Sequence, residues 1–198
     1  DTPVVGEQID VDELCSLGDE GVLAMVCDST NVFEPGQTRS EGILRESLDK
    51  IVSSKKGRVV LTTFASNWAR IATAAWVAKN NNRHPVLVGR SFFRILDVAR
   101  DSGYYQGVPK FLDEREAKML PPGKVLFICT GSQGEARGAM SRIADDSHPN
   151  VQLESGDTVI FSSKIIPGNE RSISRLHNRL VSQGIEVITE KEELVHVS

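Results

Sequence analysis

The stretch RVVLTTFASNWARIATAAWVAKN, residues 58–80, contains the pattern that decides the fold. It begins with a largely apolar run, passes through the polar residues Ser66 and Asn67, and ends in an alanine-rich segment of strong helix formers. The apolar run has no alternation of polar and apolar residues, which is typical of strands buried on both faces of a parallel sheet. The stretch therefore predicts a strand, a polar strand end and a helix that follows at once.

The same succession of predicted strand and predicted helix recurs along the chain. Helix-period segments separate short runs rich in Val, Ile and Leu, and these runs are predicted strands at Gly21–Cys27, Arg58–Phe64, Pro85–Gly89, Lys124–Thr130, Asp157–Ser162 and Ile185–Thr189. Strands that alternate with helices form a parallel sheet through βαβ crossovers. We therefore expect a three-layer, Rossmann-like α/β domain, with a mostly parallel sheet and helices on both faces. Residues 1 to about 20 are acidic and predicted to be loop-like, outside that core.

Bulk composition narrows the class of protein. The 198 residues carry a net charge of −4, whereas a free-standing nucleic-acid-binding domain is more often basic. The three cysteines are odd in number and form no C-x-x-C pair, which favours reduced thiols and a cytoplasmic location. No apolar run approaches the ~20 residues of a membrane-spanning helix, so no membrane association is expected.

Candidate ligand-binding residues follow the predicted strands, because ligands of open parallel sheets bind at the carboxyl ends of the strands. They are Ser66, Asn67, Ser132, Gln133, His196 and Ser198. Each also has a plainer interpretation, since Ser and Asn are common helix N-caps and turn residues. The four histidines are far apart in sequence and form no metal-ligand cluster. Of these, His177 is predicted to be exposed on the sixth helix.

Nine segments together resemble one family. They occur in the order and at the spacing found in ribonuclease J, of the β-CASP branch of the metallo-β-lactamase superfamily, and are VCDSTN (26–31), RSE (39–41), TFASN (63–67), GRS (89–91), TGSQGE (130–135), SRIA (141–144), GDTV (156–159), PGNE (167–170) and HVS (196–198). The resemblance divides the chain into residues 1–30, a flanking segment and strand similar to the end of the metallo-β-lactamase portion, and residues 31–198, the β-CASP domain.

The resemblance also implies functions for particular residues. The family cleaves RNA as a 5′ exonuclease and endonuclease and uses two zinc ions. Asp28 resembles the acidic residue of motif A, which supports the catalytic centre, whereas His196 and Ser198 resemble the start of a phosphate-binding His-x-Ser-Gly-His stretch. The metal-binding His-x-His-x-Asp-His signature does not occur in this sequence. We therefore expect the isolated chain to bind no zinc and to be inactive.

The expected partners are RNA and the metallo-β-lactamase domain of the same polypeptide, with a homo-oligomer of the full-length protein left open. Ser66, Asn67, Ser132, Gln133, His196 and Ser198 are predicted to converge around an RNA phosphate path, with Ser66 and Ser132 on one edge of the sheet. Two alternatives remain at this stage. One is a stand-alone Rossmann-like module for a nucleotide or another anion, although no G-x-G-x-x-G occurs. The other is a structural or dimerisation lid.

Overall fold

A single parallel sheet organises the computed structural model, which describes residues 3–27, 32–33, 35–36 and 39–197. Within these residues its strands are β1 (Val59–Thr62), β2 (His84–Val88), β3 (Val125–Cys129), β4 (Thr158–Phe161) and β5 (Glu186–Ile188). The strand order is β2-β3-β1-β4-β5, and every neighbouring pair is parallel. The predicted parallel sheet is confirmed, and each of its five strands lies within or next to a predicted run.

Seven α-helices accompany this sheet in the described residues, and all but the first of them cover one of its two faces. They are α1 (Val11–Glu20), α2 (Glu41–Ser53), α3 (Trp68–Asn80), α4 (Arg90–Asp101), α5 (Glu114–Ala117), α6 (Ala139–Ala144) and α7 (Glu170–Ser182). Side chains of β1 alternate between two hydrophobic cores, because successive residues of a strand point to opposite faces. Val59 and Leu61 pack with α2, α3 and α4, whereas Val60 packs with α5, α6 and α7. The three-layer α/β architecture is thereby confirmed.

Residues 21–27 differ from their prediction. The apolar run Gly21–Cys27 was expected to be a strand, but the structure places it in an irregular segment whose Leu23 and Val26 side chains are fully exposed. A strand needs a neighbour to bond its backbone, and none of the described residues pairs with this run. Burial inside a sheet, which the apolar pattern indicates, is thus missing here.

A helix also replaces the loop expected before residue 20. Asp10 caps α1 because its Oδ1 accepts a hydrogen bond of 2.9 Å from the Glu13 amide. The apolar side chains of α1 are exposed, so this helix makes no contribution to either core. No helix in the described part of the chain has the length and apolar character that crossing a membrane requires.

The loop that follows β3 packs tightly on α7. Gly134 adopts a φ of +71°, and a Cβ atom built at this position would lie 2.7 Å from the backbone carbonyl carbon of Ser172. Gly168, in the loop before α7, has a φ of +99°, but a Cβ atom there would meet nothing within 4 Å. Both glycines have a positive φ, but only a side chain at Gly134 would meet a close steric contact. Comparing substitutions at the two positions therefore distinguishes the cost of backbone strain from the cost of steric contact.

We predict that Gly134→Ala destabilises the protein more than Gly168→Ala. Both substitutions place a Cβ on a backbone of positive φ, at a cost of about 1–2 kcal/mol. Gly134→Ala adds overpacking against the α7 backbone, for which about 1–3 kcal/mol more is expected. Urea denaturation of the two variants measures the difference in free energy of unfolding. Equal losses would contradict the close contact between the loop and α7.

Candidate nucleic-acid interface at the carboxyl edge of the sheet

The chain leaves two neighbouring strands in opposite directions. From β1 it passes through α3 to β2 at one edge of the sheet, and from β4 it passes through α7 to β5 at the other edge. The first helix lies on one face and the second on the opposite face. Adjacent strands with diverging connections leave a crevice at their carboxyl ends, which is where ligands of open α/β sheets bind.

A buried arginine lies in this crevice. Arg70, in the first turn of α3, is 0 % exposed. Its Nε donates to Oε1 of Glu41 over 2.7 Å, and its Nη2 donates to Oε2 over 3.0 Å. Two parallel bonds between a guanidinium and a carboxylate are a geometry that arginine favours. The pair joins the start of α3 to the start of α2.

The third guanidinium nitrogen joins this pair to the end of β4. Nη1 of Arg70 donates to the Ser162 carbonyl oxygen over 2.8 Å and to the Ser162 hydroxyl oxygen. That hydroxyl in turn donates to the Val195 carbonyl oxygen. Four segments that are distant in sequence therefore meet around one guanidinium: the starts of α2 and α3, the end of β4, and residues 195–196.

His196 borders the same guanidinium. Its Nδ1 lies 3.4 Å from Nη1 of Arg70, and its Nε2 is buried without a hydrogen-bond partner among the described residues. Burial first, and then the Arg70 cation, lower the pKa of His196 to about 4, although the Ser162 carbonyl acts in the other direction. The imidazole is therefore neutral at neutral pH, and its Nε2 has hydrogen-bonding capacity that no described residue uses.

Ser66 and Asn67 lie at the end of β1, beside Arg70. The Asn67 side chain caps α3, because its Oδ1 accepts a 3.0 Å bond from the Arg70 amide. Ser66 is exposed one residue earlier. Ser132 follows β3, the parallel neighbour of β1, so Ser66 and Ser132 both lie at the carboxyl edge. Their role in binding phosphate stays a prediction.

Gln133 is bound into a neighbouring loop. Its Nε2 donates to the Lys164 carbonyl oxygen over 2.9 Å and approaches Oγ of Ser163 at 3.4 Å. Its Oε1 accepts from the Ile166 amide over 2.9 Å and from Nδ2 of Asn169 over 3.3 Å. These four bonds use both donors and both lone pairs of the amide. A direct phosphate bond from this side chain would have to break one of them.

Two predicted residues, Asp28 and Ser198, lie outside the described residues. Within the described residues, no group of three His, Cys, Asp or Glu side chains is arranged to hold a metal ion.

The sequence did not reveal the Arg70 pair. Arg70 lies in an alanine-rich helix where arginine is simply a good helix former. Glu41 precedes it by 29 residues, and Ser162 follows it by 92. The available signal was the position of Arg70 three residues after a capping Asn at a strand end. That position identifies a residue of the carboxyl edge but does not identify its partners.

Comparisons of this chain with a family model and with curated proteins all point to the same family. Residues 56–180 match the family model for the β-CASP domain of ribonuclease J. Ribonuclease J of Sinorhizobium meliloti is 48 % identical over 99 % of this chain and 35 % of its own length. Ribonuclease J 1 of Streptococcus pyogenes is 41 % identical and ribonuclease J of Thermus thermophilus 36 % identical, each over 100 % of this chain and 35 % and 34 % of their own lengths. The chain thus spans about a third of these relatives.

We predict strong energetic coupling between Arg70 and Glu41. Arg70→Gln is expected to cost about 3–5 kcal/mol, because it leaves the Glu41 carboxylate without its buried partner. A double-mutant cycle with Glu41→Gln should give a coupling energy of about 0.5–3 kcal/mol. Arg100 and Asp97, whose side chains are 52 % and 71 % exposed, are the matched control pair. Their coupling should stay within about 0.2–1 kcal/mol, and equal values for both pairs would contradict the buried network.

We also predict that His196 remains neutral well below pH 6.5. A pKa of about 4 in the folded protein lies below the value of about 6.5 for an unfolded chain. The contribution of His196 to stability is therefore complete above about pH 6.5 and is lost as the pH falls toward 4. NMR titration of the His196 ring protons from pH 8 to pH 5 should show almost no protonation. A midpoint near 6.5 would overturn the prediction.

Proposed function

This chain belongs to the ribonuclease J family as its β-CASP domain, and on that premise we propose that it forms one wall of the RNA cleft of a metal-dependent RNA hydrolase. The observation that carries the proposal is the convergence of four chain segments on Arg70 at the carboxyl edge. The convergence fixes His196, whose Nε2 has no partner among the described residues, close to the strand ends that carry Ser66 and Asn67.

Neutral groups supply the phosphate contacts in this proposal. Hydroxyl, amide and imidazole groups bind a phosphodiester without a large basic patch, which agrees with the net charge of −4. Ser66, His196 and Ser198 contact phosphates directly, whereas Ser132 is buried beside them at the same edge. Asn67 and Gln133 contribute by fixing backbone, since their side chains already bond α3 and the 164–169 loop. Contacts to phosphate carry little sequence information, so we expect weak sequence preference.

Catalysis itself depends on the rest of a longer polypeptide. We infer that two zinc ions are held there by a metallo-β-lactamase portion, and that Asp28 supports that centre. The exposed apolar side chains of Leu23, Met25 and Val26 support a contact with that portion, because such a patch is unusual on a monomer surface. Free thiols at all three cysteines agree with a reducing, cytoplasmic location.

The proposal predicts RNA hydrolysis by the longer polypeptide and none by this chain alone. Both proteins would be incubated with zinc and 5′-monophosphorylated single-stranded RNA, and the products resolved by electrophoresis. The longer protein should release mononucleotides or short products, and the chain alone should equal the buffer control. Turnover by the chain alone would show that its expected inactivity is wrong, and no turnover by the longer protein would overturn the proposed function.

Within the longer protein, Ser66→Ala should weaken RNA binding at least about tenfold, because a hydrogen bond to a charged group contributes about 1.5–3 kcal/mol. Stability should change little, since Ser66 is exposed. Ser182→Ala is the matched control at the carboxyl end of α7, on the amino side of the sheet, where Oγ bonds only the Arg179 carbonyl oxygen within its own helix. Filter-binding titrations measure both variants. Equal losses would argue against a phosphate contact at Ser66.

A further inference from the structure

A cavity of about 240 Å³ lies beside the carboxyl edge, on the face of the sheet that α7 covers. Its walls come from the end of β3, the end of β4, α7 and the loop after β5, and include Ser132, Phe161, Ser163, His177 and Thr189. It is large enough to hold several water molecules. The cavity is separate from the Arg70 network, because Arg70, Glu41 and His196 do not line it.

Two buried polar atoms belong to residues that line this cavity and have no hydrogen-bond partner among the described residues. They are Oγ of Ser132 and Nε2 of His177. Ser132 is only 2 % exposed. Buried polar groups of native proteins are nearly always hydrogen-bonded, so each orphan atom indicates a bonding partner such as water or a ligand. A hydroxyl donates and accepts, and an imidazole nitrogen does either according to its tautomer.

An aromatic pair forms part of the same wall. The ring centroids of Phe161 and His177 are 4.2 Å apart, with the planes at 63° in an edge contact. The sequence predicted an exposed His177, but this contact makes the residue half-buried. A planar aromatic ligand is suited to such a wall, because aromatic side chains and bases attract one another through their faces and edges.

The charges around the cavity disfavour an anion. Its rim carries the carboxylates of Glu190 and Glu192 against the single ammonium of Lys191. The pKa of His177 is lowered, mainly by burial, although the Glu192 carboxylate opposes this and Lys191 adds to it. The imidazole is therefore neutral at neutral pH and supplies no cation. A neutral, planar and polar-edged ligand fits this environment better than a phosphate.

Two consecutive residues connect the cavity to the candidate phosphate site. Ser162 belongs to the Arg70 network, whereas Ser163 lines the cavity and approaches the Gln133 amide. A strand of RNA whose phosphates lie at the carboxyl edge would therefore pass within one residue of the cavity. A base of that strand would be the planar, neutral ligand nearest to the cavity.

We propose that this cavity binds one unstacked base of a single-stranded RNA, whose polar edge bonds Oγ of Ser132 and Nε2 of His177. The inference deepens the proposed function and rests on it. It changes the predicted role of Ser132 from a phosphate contact to a base contact. Base stacking and edge bonding would add affinity at this position with little dependence on salt, unlike phosphate contacts.

The test is an NMR titration of this chain with neutral nucleosides. Uridine and adenosine should shift the ring protons of His177, and inorganic phosphate at the same concentration should not. His177→Phe identifies the resonance and keeps an aromatic ring against Phe161. A shift with phosphate alone would overturn the proposal in favour of an anion site. No shift with any probe would show a cavity that holds only water, and would also overturn it.

The Ser132→Ala variant distinguishes an effect on nucleoside binding from an effect on protein stability. Loss of the orphan hydroxyl should weaken nucleoside binding about fivefold, which is the effect of one neutral hydrogen bond, and should leave thermal stability unchanged or higher. Ser182→Ala is again the matched control and should bind nucleosides normally. Unchanged nucleoside affinity for Ser132→Ala would contradict the proposed contact. RNA hydrolysis by the longer protein without nucleoside binding here would refute this inference alone, whereas absent hydrolysis refutes the proposed function.

Discussion

A guanidinium with no exposure to water must find all of its partners within the protein, and Arg70 is such a group. Removing an ion from water costs several kcal/mol, and only close, fully bonded partners offset that cost. Glu41 takes two guanidinium nitrogens and Ser162 takes the third. The start of α2, the end of β4 and the segment that carries His196 therefore cannot move independently. The geometry of the carboxyl edge depends on this one buried charge.

The same charge controls the chemistry of its neighbour. A cation 3.4 Å from Nδ1 of His196 adds to the effect of burial, and the two together lower the pKa of the imidazole to about 4. The residue is consequently fixed in one charge state through the physiological range, so it serves as a constant hydrogen-bonding group and not as a pH switch. In the proposed function, an acidic protein thereby presents neutral groups to a phosphodiester, without needing exposed cations on this surface.

Sequence patterns correctly predicted those structural features that depend on residues close together in the chain. The strands followed from uninterrupted apolar runs, and the start of α3 followed from Asn67, since both signals are local. The Arg70–Glu41 pair and the burial of His177 depend on how distant segments meet, and no local pattern records that. The strand predicted at residues 21–27 was wrong for the converse reason. Its apolar residues describe a strand within a sheet, and the described chain offers this run no partner strand.

In the proposed complex, the charges along the carboxyl edge also determine on which side the backbone of a bound strand lies and on which side a base lies. On the side of Ser162, neutral donors surround a guanidinium whose charge Glu41 balances, so a phosphate meets hydrogen-bonding groups and little repulsion. On the side of Ser163, two rim carboxylates repel an anion, whereas orphan polar atoms remain for a neutral base. The opposite placement, with the base toward Ser162, would set the phosphate against Glu190 and Glu192. Charge alone therefore favours the orientation with phosphates toward Ser162 and a base toward Ser163.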